Sequence, residues 1–142
     1  MRGVLFSAGL FGALALAGCA SDDVGPSTAE LKARWEAQNI APQDYKNDLL
    51  AFLRIYLNDP THVRNATVTA PMRKTVAGGE RYVVCLRYNA RDTGGKYMGA
   101  KEGAAIYVSG KLDRFVDAKK DVQDLCKDAA YAAFPELEKL TR

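Results

Sequence analysis

Few residues of this chain have the types and spacing that hydrolytic chemistry needs. Beyond the N-terminal segment, a Ser-His-acid site would have to combine Ser27 or Ser109 with His62, the only histidine. We interpret Ser27 as a helix cap, Ser109 as a turn residue and His62 as a surface or capping residue. Asp121 and Asp124 share a predicted helix face that lysines flank, which is typical of a solvated charged surface. We therefore predict no catalytic residues and a non-enzymatic function.

Metal and phosphate chemistry are equally poorly supported. Neither Cys85 nor Cys126 has another cysteine or a histidine within the spacing of a metal site. The segment Gly99-Ala100-Lys101-Glu102-Gly103 lacks the strand–loop–helix context of a phosphate-binding loop. We expect no metal and no cofactor.

The N-terminal segment has the three parts of a secretory signal. Arg2 supplies the positive charge, residues 4–17 form an apolar run, and the small residues Ala17 and Gly18 precede Cys19. The run is too short for a transmembrane helix, which needs about 20 residues. An ordinary secretory signal with a chance cysteine remains the alternative.

The sequence Leu16-Ala17-Gly18-Cys19 resembles the lipobox of bacterial lipoproteins. The resemblance implies cleavage before Cys19 and attachment of a diacylglyceryl group to its sulfur. Two or three acyl chains anchor a protein stably in a membrane. Ala20 follows, where an aspartate would resemble an inner-membrane retention signal, so the resemblance implies an outer-membrane location, facing the periplasm or the cell surface.

This interpretation divides the chain into three parts. Residues 1–18 are the lipoprotein signal peptide, 19–27 are the lipidated cysteine and a flexible tether, and 28–142 are a single domain by length. The formal net charge of +3 does not require a nucleic-acid partner. The predicted compartment makes nucleic acid a poor candidate as well.

Cys85 and Cys126 are expected to form a disulfide, because disulfides persist in an oxidising periplasm. In the loop-closure account such a bond stabilises the fold by about 4 kcal/mol. The alternative is two separately buried thiols.

Apolar periodicity predicts three helices. The first begins at the capping-box pattern of residues 27–30 and runs to about Asn39. The second begins near Asp44 and ends before Pro60. The third runs from about Ala118 toward Ala133, although residues 129–134 would also suit an extended segment.

Between the second and third helices the period changes to two, which predicts strands. We assign strands to residues 66–72, 80–91, 104–108 and 112–116. Together with the helices they predict an α+β fold. An antiparallel meander of three or four strands would pack against helices in a two-layer sandwich.

Basic residues concentrate in this predicted sheet, and tyrosines lie between them. Six of them form a candidate surface for an anionic envelope component or an envelope protein: Arg73, Lys74, Arg81, Arg87, Arg91 and Lys96. The alternative is a solvated sheet face whose charges pair with the terminal helix.

The stretch Arg81-Tyr82-Val83-Val84-Cys85-Leu86-Arg87-Tyr88-Asn89-Ala90 looks like small uncharacterised lipoproteins of proteobacteria, which carry no assigned reaction. We therefore expect a lipid-anchored adaptor or binding module. The alternative function is a small inhibitor or binder of a secreted enzyme, using Tyr97-Met98 in the glycine-rich loop.

Overall fold

The computed structural model describes residues 25–77 and 79–141. These residues form one antiparallel sheet and helices, which confirms the predicted α+β two-layer class. Their elements, in chain order, are α1 (Thr28–Ala37), α2 (Tyr45–Tyr56), β1 (Asp59–Thr69), β2 (Met72–Val76), β3 (Gly79–Arg91), β4 (Lys101–Val108), β5 (Lys111–Val116), α3 (Lys119–Leu125), β6 (Tyr131–Ala133) and α4 (Pro135–Glu138).

The sheet is larger than the three or four strands predicted. Six strands in the described ranges pair in the order β5-β4-β3-β1-β6, and β2 pairs with β3 alone. β1 and β2 lie end to end along β3, with Val68 opposite Leu86 and Met72 opposite Val83. The predicted single strand over residues 66–72 is therefore wrong: it breaks before Pro71, which has no N–H to donate to a ladder.

The main core lies between the sheet and α2. Leu49 and Leu53 of α2 are fully buried, and they belong to one cluster with Val84, Leu86 and Tyr107 of the sheet. This is the apolar face predicted for the second helix and the long strand. Because these side chains recur every three or four residues in the helix and every two in the strand, the sequence specifies both partners of the layer.

The opposite face of the sheet is covered in part by α3. Val83, Cys85 and Ile106 form a smaller cluster there with Val122 and Cys126. Cys85 and Cys126 are joined as a disulfide with their Cα atoms 5.8 Å apart, which confirms the predicted pairing. The bond connects the central strand to the residue that caps α3.

The predicted third helix is wrong in its second half. α3 ends at Leu125, Asp128 adopts a left-handed φ of 59°, and β6 then pairs with β1. The extended alternative for this stretch is confirmed, because the Phe134 amide donates to the Ala66 carbonyl at 2.8 Å and the Phe134 ring is fully buried.

The segment from Pro135 onward packs against the sheet. Pro135 begins α4, and Leu137 and Leu140 enter the main core. α1 begins as predicted, since Ser27 and Glu30 form the reciprocal capping box. None of the helices in the described ranges is long and apolar enough to cross a membrane.

Candidate partner-binding surface

The register of the sheet places the basic candidates of β2 and β3 on different faces. Side chains directly opposite each other in an antiparallel pair point to the same face. Arg73 is opposite Tyr82, on the α2 side, whereas Lys74 is opposite Arg81, on the α3 side with Arg87. The structure therefore brings together Lys74, Arg81 and Arg87, which we call the cationic surface.

Arg87 is held in a row of side chains that crosses the sheet. Its Nε donates to Glu102 Oε1 at 3.0 Å, and its guanidinium lies 3.9 Å from the centre of the Tyr131 ring. The Tyr131 hydroxyl donates to the same Glu102 oxygen. Burial, followed by this hydrogen bond, raises the pKa of Tyr131 well above its ordinary value, so the phenol stays protonated. The row fixes the orientation of Arg87 while about half of its side chain stays exposed.

Lys74 and Arg81 keep their charges unneutralised by any ion pair within the described ranges. Lys74 Nζ donates to the carbonyl of Lys127, just beyond α3, at 3.0 Å. Arg81 lies over the ring of Trp35, 4.6 Å from its centre, and donates to the Glu80 carbonyl. Backbone carbonyls and an aromatic face position these two cations without cancelling them, so their field remains available to an anion.

Arg73 links α1 to the β2–β3 hairpin. It forms ion pairs with Glu36 of α1, at 3.1 Å, and with Glu80 of the β2–β3 hairpin. Lys96 is exposed in the loop after β3, and its backbone N–H donates to Asp92 Oδ1. Neither residue joins the cationic surface.

Arg91 belongs to a separate polar cluster at the far end of β3. Its Nε donates to Asp59 Oδ2 at 2.8 Å, and its Nη2 lies 2.7 Å from His62 Nδ1. A guanidinium can only donate, so His62 Nδ1 is the acceptor. The Thr61 hydroxyl donates to Asp59 at 2.6 Å and is the largest cause of a lowered Asp59 pKa, about 2, to which Arg91 adds. Arg91 is thus committed to Asp59, and its side chain is only 24% exposed.

Tyr97 is anchored to the body of the domain. Its hydroxyl donates to the His62 carbonyl at 2.7 Å, and the Arg64 guanidinium lies 4.1 Å from the centre of its ring. The neighbouring Met98 is 57% exposed. The loop therefore offers a methionine, not the free aromatic side chain that an inhibitory loop was expected to present.

The serines and aspartates considered as catalytic candidates lie at a helix cap, in a turn and on an exposed helix face. Ser27 caps α1, and the amide of Ser109, in the β4–β5 turn, donates to the Gln38 carbonyl. Asp121 and Asp124 are exposed on α3. Among the described residues no group of three or more His, Cys, Asp or Glu side chains is arranged to hold a metal.

A cleft of about 270 Å³ lies between the end of α2 and the β3–β4 loop, lined in part by Tyr56, Tyr88 and Asp117. The Tyr56 hydroxyl donates to Asp117 Oδ2 at 2.6 Å. Burial is the first cause of a raised pKa at both phenols, and it brings that of Tyr88 to about 12. Both are therefore protonated at neutral pH, when they can act as hydrogen-bond donors.

Sequence reasoning missed the partners of the basic residues. Glu102, Tyr131 and Asp59 reach them through cross-strand pairing, which depends on a register that no single segment encodes. The signal available beforehand was composition: tyrosines lie between the basic residues of the sheet.

No protein-family model matches this chain, and comparisons with curated proteins and with solved structures find no match. Cys19, the signal peptide and most of the tether lie outside the described residues.

Proposed function

We propose that the chain is a lipid-anchored, non-enzymatic binding protein of the bacterial outer membrane. The observation that carries the proposal is the assignment of its three cysteines. Cys85 and Cys126 form a buried disulfide, which suits an oxidising compartment. The remaining cysteine, Cys19, is the one in the lipobox-like sequence.

The cationic surface is the proposed site for an anionic envelope component. Lys74 and Arg81 carry uncompensated charge, and the Glu102–Tyr131 row orients the exposed end of Arg87. Phosphate or carboxylate groups of the envelope have the complementary charge. Such contacts accelerate and orient association and are weakened by salt.

Metabolic labelling with a fatty acid tests the anchor. Cys19→Ala should abolish incorporation, because the acceptor sulfur is removed. The double variant Cys85→Ser/Cys126→Ser is the matched control and should keep the label. Wild-type labelling of Cys19→Ala would contradict lipidation at this residue.

Co-sedimentation with lipid-free cell-wall fractions tests the surface, because the proposed lipid anchor cannot contribute to that association. Lys74→Gln/Arg87→Gln removes two charges without placing a new acid beside Glu102. The control Arg54→Gln/Lys111→Gln removes two exposed charges from α2 and β5. Association should fall several-fold in the first variant alone, and wild-type binding should fall with salt.

Equal association of both variants across salt concentrations would contradict the cationic surface as a binding site. The inhibitor hypothesis would then take its place, with the exposed Met98 as the first contact to test.

A further inference from the structure

Within the described ranges, α1 and the β2–β3 hairpin leave a partly apolar groove that no other residue covers. α1 has no buried residue, and Leu31, one turn before Trp35, is 43% exposed. The groove measures about 760 Å³ and is lined by α1 and the β2–β3 hairpin, with Leu31 and Trp35 among its apolar walls and Lys32, Glu36 and Glu80 among its polar ones.

Trp35 is held against the β2–β3 hairpin. Its ring packs on Gly79, where an added Cβ would lie 2.6 Å from the ring. The Arg81 guanidinium also lies over the Trp35 ring. Arg73 links α1 to the hairpin, because it forms ion pairs with Glu36 and with Glu80. The groove is therefore a preformed surface and not a helix free to detach.

We propose that this groove rests on the phospholipid bilayer to which the chain is anchored, with Leu31 and Trp35 at the headgroup level. This inference rests on the proposed lipidation of Cys19. It adds the orientation of the domain: α1 and the β2–β3 hairpin face the membrane, and the β3–β4 loop points away from it.

The length of the tether is the first argument. Seven residues lie between Cys19 and Ser27, and the eight Cα–Cα steps from one to the other span at most about 29 Å when extended. A flexible chain of that length spans about 15 Å on average. A domain of this size is about 35 Å across by its expected radius of gyration, so the start of α1 must lie on its membrane side.

The chemistry of the groove is the second argument. Tryptophan favours the membrane interface, where its ring meets acyl chains and its N–H meets water or headgroups. Lys32 forms no ion pair among the described residues, and neither does Arg81. Lys32 lies in the groove wall and Arg81 beside Trp35, where both suit lipid phosphates. Arg73 pairs with the nearby Glu36 and Glu80.

Trp35 is the only tryptophan of the chain, so its fluorescence reports on the groove directly. The experiment uses the lipidated full chain in phosphatidylcholine/phosphatidylglycerol vesicles, with and without lipids brominated near the headgroup end of the acyl chains. We expect a blue shift, loss of Trp35 emission in the brominated vesicles and protection from aqueous acrylamide.

Two variants make the test specific to the groove. Leu31→Asp should restore Trp35 emission in brominated vesicles and acrylamide access. Ile55→Asp, at an 89% exposed position on α2, should behave as the wild type. Circular dichroism and thermal unfolding establish that both variants fold, which is expected because neither side chain is in the core.

Vesicle flotation separates this inference from the anchor. A chain that floats with vesicles while Trp35 is unaffected by bromine and open to acrylamide would overturn the orientation but keep the lipid anchor. Protection from acrylamide that is equal in detergent and in vesicles, without bromine quenching, would mean that protein covers the groove, and it would also overturn the inference. A chain that does not float would overturn both.

Discussion

The two faces of β3 are covered by different means. On one face, α2 presents a continuous apolar surface to the sheet, with Leu49 and Leu53 fully buried. On the other, α3 has seven residues and only Val122 buried, and it is fastened by the Cys85–Cys126 bond. The comparison indicates that a covalent link substitutes for burial where the helix is too short to cover its side of the sheet.

Removing the disulfide should give the largest effect. Cys85→Ala/Cys126→Ala frees a loop of 41 residues in the unfolded chain. The expected loss is about 4 kcal/mol of unfolding free energy. Denaturant unfolding measures that loss, and amide exchange should show α3 opening well before α2. Loss of protection in both helices together would contradict the division between the two faces.

Truncating a side chain on the buried face of α2 should lower the free energy of unfolding slightly less than removal of the disulfide does. Leu53→Ala leaves a cavity at a fully buried site, with an expected loss of about 2–5 kcal/mol. Thermal and denaturant unfolding provide the measurement, and Ile55→Ala on the exposed side of α2 is the control. If the two alanine variants were equally stable, α2 would not be the main packing helix.

Gly103→Ala tests the close contact between β4 and β5 on the α2 face. A Cβ at Gly103 would overlap the ring of Phe115, which also packs against Phe52 and Tyr56. Such overpacking costs about 1–3 kcal/mol. Gly103→Ala/Phe115→Leu should recover part of the loss, because the smaller side chain makes room. An unchanged melting temperature in Gly103→Ala alone would show that Phe115 moves aside freely.

The smallest expected effect is an acid-dependent loss at Asp59, outside both helix-covered faces. The Thr61 hydroxyl first, and Arg91 in addition, lower the pKa of Asp59 from 3.8 to about 2. A lowered folded-state pKa gives stability that is present above the unfolded pKa and lost as pH falls through the folded one. Stability should therefore fall between about pH 4 and pH 2. Asp59→Asn should flatten this part of the stability profile, and an identical slope in that variant would exclude Asp59 as its source.

Local apolar periodicity was sufficient to predict an element when the element packs against another whose periodicity is equally clear. α2 and β3 follow directly from apolar spacings of three to four and of two residues. β6 could not be found this way, because three residues become a strand only by pairing with β1. The start of β1 was missed for another reason. Asn58-Asp59-Pro60 was interpreted as the end of α2, and the same residues also begin the strand.

The candidate surface shows the same limit. The sequence places basic residues in the sheet, but only the register reveals that Arg73 and Arg81 point to opposite faces. Whether a charge is compensated depends on residues far along the chain, such as Glu102 for Arg87 and Asp59 for Arg91. Composition therefore predicts the cations but not their availability.

The late position of Phe134 has a consequence for how the protein is made. Its fully buried ring belongs to the main core, and the strand just before it pairs with β1 some 65 residues earlier, through Thr67 and Ala133. Translation delivers this side chain after every strand of the sheet, so the main core lacks one of its fully buried rings until synthesis is nearly complete. The export that we propose for this chain would benefit from such a delay, because a core that lacks its last segment is less stable and therefore easier to keep unfolded.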